Sequence, residues 1–129
     1  MIIDSHCHLL HQKNANNVNT LIKNAKNNGV NKFLNISTKE DEFEKVINLS
    51  KKYEEIYCSL GIHPHESMSA TERTFAQILE LSKSSKVIGI GETGLDFYYN
   101  YSDKKIQISS FIRHIEISQE KGLPVIIHM

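Results

Sequence analysis

Val87-Ile88-Gly89-Ile90-Gly91-Glu92-Thr93-Gly94 is the stretch on which the fold turns, and it admits two readings. Glycines 89, 91 and 94 match GxGxxG, the turn of a dinucleotide-binding sheet, which must open a helix at once so that pyrophosphate meets the helix N-terminus. Here Leu95-Asp96-Phe97-Tyr98-Tyr99-Asn100-Tyr101 intervenes. The context argues against a dinucleotide cofactor. The other reading is a buried strand, Val87 to Ile90, that delivers an acid, Glu92, to its carboxyl end, with glycine permitting tight turning and close backbone approach.

Working outward, similar β-branched runs recur at Ile2-Ile3, Phe33 to Ile36, Ile56 to Leu60 and Val125 to Ile127. Helical patterns lie between them. Val18, Leu21, Ile22 and Ala25 repeat at i, i+3, i+4, i+7, as do Ile108, Phe111, Ile112 and Ile115, which predicts amphipathic helices with one core-facing stripe. Phe43, Val46 and Ile47 mark another, begun by Thr38-x-x-Asp41; Phe75, Ile78 and Leu79 mark a fourth, begun by Ser69-x-x-Glu72. Both helix starts resemble capping boxes. Gly29 and Gly122 stand where left-handed helix caps are wanted. The order β-α-β-α-β-α-β-α-β predicts an α/β fold, a parallel sheet covered by helices. The last strand carries no terminating loop and no covering helix, so residues 1–129 are expected to be a single domain interrupted partway.

The chain has 129 residues, 40% hydrophobic and 23% charged, which suits one globular domain and argues against native disorder. Fifteen basic side chains balance fifteen acidic ones, and only two of the basic ones are arginines. A long-range positive field for nucleic acid is therefore excluded, and an anionic substrate needs a local positive charge, for which a bound cation is the better candidate. Cys7 and Cys58 have no CxxC spacing and read as reduced thiols. With no signal-like leader and no apolar run near the roughly 18 residues that span a bilayer, a cytoplasmic protein without membrane contact is expected.

His6-Cys7-His8 follows the first strand, and residues i and i+2 of extended backbone share a face, so two imidazoles can converge on one cation. Asp4, on the same face, could accept a ring proton and fix the tautomer. Cys7 turns to the opposite face as packing. Glu92 and His128 also end strands, which places four candidate ligands, His6, His8, Glu92 and His128, at the carboxyl edge where such folds bind ligands. Three imidazoles and a carboxylate suit zinc, manganese or a similar metal rather than calcium. In Gly61-Ile62-His63-Pro64-His65, His63 or His65 could face the same rim as a phosphate contact or second-layer donor, a turn role being the preferred reading for His65. His11 and His114 read as polar loop and helix residues. Tyr98, Tyr99 and Tyr101 could stack a base or sugar, but packing over the mouth of the sheet is the preferred reading.

With these residues in view, the chain resembles the TatD family of metal-dependent hydrolases, in the amidohydrolase superfamily of distorted TIM barrels. Ile3 to Leu9 resembles the family's opening signature, Gly61-Ile62-His63-Pro64 its second block and Gly89 to Asp96 its third; Gln107, Phe111 and Leu123 to His128 follow in order. The resemblance implies a partial TIM (β/α)8 barrel, about the first five parallel strands of eight. It implies two divalent cations (Zn, Mn or Mg), the first on His6 and His8, the second on His128, with Glu92 between them as bridging and catalytic carboxylate. It further implies DNA as substrate, hydrolysed by metal-activated water, and a further histidine and aspartate after residue 129. The chain by itself is then expected to turn over weakly or not at all, with its unpaired strand edges open to self-association. Two alternatives stand beside this: an amidohydrolase-like lactonase or amidase, since the same constellation activates water against carbonyl carbon, and a non-catalytic relic that needs a partner chain.

Overall fold

A computed structural model describes residues 1–11 and 13–129. Five strands, β1 (Ile2–Cys7), β2 (Val30–Ile36), β3 (Ile56–Leu60), β4 (Val87–Gly94) and β5 (Val125–His128), alternate with four α-helices. These are α1 (Val18–Asn27), α2 (Phe43–Lys52), α3 (Glu72–Leu81) and α4 (Lys104–Lys121); 3-10 turns over Glu40–Glu42 and Pro64–Ser69 precede α2 and α3. All strand pairs are parallel and the sheet order is β1-β2-β3-β4-β5. That order has no reversal point, unlike the doubly wound sheet of dinucleotide binders. Consecutive crossovers of one hand place every helix on one face and curl the sheet toward a barrel. The fold is an α/β half-barrel, the first five strands of the predicted partial TIM (β/α)8 architecture.

The core lies between sheet and helices. Phe43, Val46 and Ile47 from α2 and Phe75 and Ile78 from α3 bury against Cys58, Leu60, Val87 and Ile90; Val18 and Ile22 from α1 pack with Leu9, Phe33 and Ile56. Burial falls toward the edges, so that Ile3 on β1 and Ile127 on β5 are 55% and 53% exposed. Next to the site the strands approach too closely for any side chain. A Cβ on Gly61 would stand 2.3 Å from Gly91 Cα, and one on Gly91, whose φ is +142°, would stand 2.3 Å from Ile126 O.

Local details depart from the sequence expectations. The α3 capping box is Thr71 with Thr74, each side chain accepting the other's backbone N–H, and Ser69 instead bonds Glu66 O within the preceding turn. At α2, Glu42 rather than Asp41 reaches back, accepting from Thr38 N–H at 2.7 Å and from its hydroxyl at 3.1 Å. A 3-10 turn inserted ahead of each helix displaces its start. Gly122 (φ 65°) is the left-handed cap of α4 as expected. The main correction concerns α4 itself. Ile108, Ile112 and Ile115 are 42%, 49% and 36% exposed, whereas Gln107, Ser110, His114 and Ile117 form the buried face. Apolar periodicity locates a stripe but not its partner, and here the inward stripe is mostly polar. Tyr98, Tyr99 and Tyr101 are exposed, although Tyr99 and Tyr101 stack on each other and set their rings edge-on to His65. Among the described residues, no helix is long and apolar enough to cross a membrane.

Candidate metal centre

The ligand-bearing strands carry irregularities at their ligands. Between Asp4 and Cys7 the β1 register against β2 gains one residue, and between Gly91 and Thr93 the β4 register against β5 does the same. An extra residue bends a strand and re-aims its side chain, here at His6 and at Glu92. Both strands run farther than the β-branched runs suggest. His6 lies within β1, and Glu92 lies within β4 because glycines that read as turn signals still pair through their backbones.

Glu92 is the centre of the arrangement, 7% exposed, with its N–H donating to Ser37 O at 3.1 Å. Its Oε2 faces His6 Nε2 at 3.5 Å and His8 Nε2 at 3.8 Å. Its Oε1 faces His128 Nδ1 at 3.1 Å. One carboxylate thus presents a different oxygen to each of two imidazole groups. His6, His8 and Glu92 form one trio able to hold a cation; Glu92 and His128 cluster a second time with His63 beside them, close enough by distance alone. Beside them lies a cavity of about 390 Å³ lined by His8, His11, Glu42, His63, Glu92 and His128 among others. On the β1 side it is open, His6 and His8 being 41% and 40% exposed.

The neighbouring loops are held by groups deep in the fold. Leu9 N–H, next to His8, donates to Asn35 Oδ1 at 2.9 Å. His63 N–H donates to Thr38 O at 2.8 Å, and the preceding residue, Ile62, donates its N–H to His114 Nε2 at 2.9 Å. Gln107, fully buried, accepts from Asp96 N–H at 2.8 Å and donates to Asp96 O at 3.0 Å and Ser102 O at 2.9 Å. Helix α4 therefore clamps both the loop after β3 and the loop after β4 through its polar inner face.

Hydrogen-bond roles fix what each ring can do. His63 Nδ1 accepts from His65 N–H at 3.1 Å, so in the neutral ring the proton sits on Nε2, which points at His128 Nδ1, 3.2 Å away. Burial first, and the neighbouring His128 second, push the His63 pKa down to about 4, which keeps that ring neutral at pH 7. A neutral ring with its proton on Nε2 is a donor there, not a ligand. Asp96 Oδ2 accepts from His65 Nε2 at 2.8 Å and from His128 Nε2 at 3.0 Å. The hydrogen bond from His128 is the first cause holding Asp96 at about 2, well below the usual carboxylate range.

These donors fit a divalent cation. Two donors on one zinc-like ion, each at about 2.0–2.1 Å, stand about 3.3 Å apart, and the separations around Glu92 bracket that value at 3.1, 3.5 and 3.8 Å. The chemistry agrees: with Nε2–H donating to Asp96, a neutral His128 ring would turn its Nδ1 lone pair toward Glu92 Oε1, and a cation between these two acceptors would satisfy both.

The structure brings His6, His8, Glu92, His128 and His63 together. Asp4 does not meet a ring; its Oδ1 accepts from the His6 backbone N–H at 3.2 Å, because the re-aimed β1 backbone places the amide nearer than the imidazole. Cys7 points to the opposite face as expected, donating to Leu34 O at 3.4 Å, with burial pushing its thiol up to about 12. Sequence pattern assigns no role at the site to Asp96, Gln107 or His114 and prefers a turn role for His65, which the structure instead sets against Asp96 beside the site. His114 in particular is fully buried, with Nδ1–H donating to Ser110 O at 2.7 Å and burial lowering its pKa to about 4.

Known proteins carry the same half-barrel. The uncharacterized metal-dependent hydrolase YabD of Bacillus subtilis is 33% identical over 128 residues, 99% of this chain and 50% of its own. The 3'-5' ssDNA/RNA exonuclease TatD of Escherichia coli K12 is 33% identical over 100 residues, 78% of this chain and 38% of its own. The crystal structure of YJJV, a TatD homologue from Escherichia coli K12, superposes with a TM-score of 0.91 at 27% identity, covering 98% of this chain and 50% of its own. The chain thus spans about half the length of the curated relatives it matches. Residues 3–129 match the family described as TatD related DNase, and the chain belongs to that family of metal-dependent hydrolases and nucleases.

Proposed function

We propose that residues 1–129 are part of one cytoplasmic hydrolase domain that cleaves phosphodiester bonds of a nucleic-acid strand, DNA first among them, around two divalent cations (zinc, manganese or magnesium). The observation that carries this reading is the placement of the two Glu92 oxygens, one toward His6 and His8 and the other toward His128. His6 and His8 would hold the first cation and His128 the second, with Glu92 bridging. A cation pair supplies Lewis acidity, lowering the pKa of water and neutralising charge on the phosphate. The chain's own groups do the rest. The His63 Nε2–H, which faces His128 Nδ1, would be freed to donate to a substrate oxygen when a cation engages that nitrogen; Ser37 O anchors Glu92 through its backbone; the open side at His6 and His8 admits a strand. Neutral overall charge and scarce arginine agree with a site whose positive charge is borne by cations. Relatives named as single-strand exonucleases favour nucleic acid over lactone or amide.

The parallel edges of β1 and β5 and the exposed Ile108, Ile112 and Ile115 stripe favour completion of the domain by further strands and helices, from more chain or from a second polypeptide. Turnover by residues 1–129 alone is accordingly weak. The test has two arms. Manganese bound per chain, measured by elemental analysis, falls in His6→Ala and His8→Ala; unchanged content in either removes the ligand assignment. A chimera in which residues 1–129 replace the matching half of the Escherichia coli TatD exonuclease shortens labelled single-stranded DNA, and Glu92→Gln in it abolishes the activity. A folded, manganese-loaded chimera that spares DNA but opens lactones or amides would transfer the reading to that chemistry.

A further inference from the structure

We propose that Asp96 is a positioning residue that sets the His128 tautomer and so decides which of its nitrogens is available to a cation; the proposal rests on the metal reading above. A carboxylate only accepts hydrogen bonds, so the contact of 3.0 Å between Asp96 Oδ2 and His128 Nε2 requires the proton on Nε2. In the neutral ring the lone pair is then on Nδ1, the atom that faces Glu92 Oε1. The His63 Nε2–H, 3.2 Å from Nδ1, favours the same tautomer, but without Asp96 the Nε2 proton loses its acceptor while Nδ1–H could donate to Glu92 Oε1 across the same 3.1 Å gap, which moves the balance toward the opposite tautomer. That bond would occupy the lone-pair position and one Glu92 oxygen together, closing one side of the site.

Asp96 is itself held in place from several directions. Gln107, fully buried on α4, grips its backbone N–H and C=O. Its Oδ1 accepts from Tyr98 N–H at 3.2 Å, which turns Oδ2 toward the rings. The same Oδ2 takes Nε2–H of His65 at 2.8 Å, and the His65 backbone N–H bonds His63 Nδ1. One carboxylate thus stands behind both inward-facing rings, His128 directly and His63 through the His65 segment. Such outer partners of a ligating histidine orient the ring and are worth about 10- to 100-fold in metal affinity.

The test combines a spectrum that needs no metal with a binding measurement. Long-range ¹⁵N–¹H correlation of the chelator-treated protein at pH 8, with the His128 signals identified by their loss in His128→Gln, is expected to show the proton on Nε2. In Asp96→Ala the proton is expected to move to Nδ1, and Mn²⁺ affinity by calorimetry to fall about 10- to 100-fold. The Gln107 clamp acts on the backbone, so the loop keeps its anchor in this variant. A wild-type proton on Nδ1 overturns the inference, whether or not Asp96→Ala folds. So does an Asp96→Ala protein that keeps its tautomer or its affinity. Absence of Mn²⁺ binding by the wild type would remove the metal reading instead, while the tautomer result would still stand or fall alone.

Discussion

His114 is a buried imidazole whose structural work can be measured by pH. It is fully buried in α4, donates through Nδ1 to Ser110 O, and accepts through Nε2 from Ile62 N–H, the amide next to His63. Protonation would set Nε2–H against Ile62 N–H, and burial holds the pKa at about 4. In the unfolded chain the same ring titrates near 6.5. Between those values the unfolded state binds the extra proton, so this contribution is fully present above about pH 6.5 and is lost as pH falls toward 4. The loss between pH 8 and pH 5 is about 2 kcal/mol, an appreciable part of a domain stability of about 5–15 kcal/mol. His114→Phe keeps a ring against Phe75, whose centroid is 5.5 Å away, but orphans the Ile62 amide at a cost of about 1–3 kcal/mol. Urea melts in excess chelator, run at both pH values on both proteins, isolate the contribution of this ring. The variant is expected to be less stable at pH 8, and its stability to drop by about 2 kcal/mol less than wild type on moving to pH 5. Equal pH dependence in the two proteins would refute the buried neutral clamp.

Three further outcomes follow from packing. Gly61→Ala places a Cβ 2.3 Å from Gly91 Cα, so β3 and β4 must part just below the site; a loss of about 3 kcal/mol or failure to accumulate as soluble protein is expected, read by chemical melts and expression yield. Ile112→Glu, on the exposed stripe of α4, is expected to shift stability by no more than about 0.5 kcal/mol, whereas Ile117→Glu buries a charge and is expected to prevent folding; circular dichroism and urea melts compare them. Burial pushes Cys7 up to about 12 and Cys58 to about 11, so neither thiol is expected to react with a disulfide reagent at pH 8 until denaturant is added, as a colorimetric thiol titration would show.

What the sequence made legible follows from which signals are local. Val87 to Ile90 and Ile56 to Leu60 read as strands because both faces of a central parallel strand are apolar, and the helices between them declare themselves by period. His6, His8, Glu92 and His128 are legible because each stands at the end of such a run, and strand ends of a parallel sheet converge. Groups that act across the fold leave no local mark. Gln107 and His114 are polar residues in a helix whose apolar stripe lies elsewhere, and only the tertiary arrangement shows that their partners are the backbone of Asp96 and Ile62. Asp96 sits four residues beyond Glu92, yet its bonds to His65 and His128 span 31 and 32 residues. Glycines mislead at one point, since they suggest an early end to β4 although Gly91 and Gly94 still pair with β5.

The most direct measurement of the central claim is an anomalous difference map from crystals of this chain grown with manganese. Two peaks are expected, one among His6, His8 and Glu92 Oε2, the other between Glu92 Oε1 and His128 Nδ1. A map with both positions empty while Mn²⁺ binds elsewhere on the chain would contradict the assignment of Glu92 as the carboxylate shared by two cations.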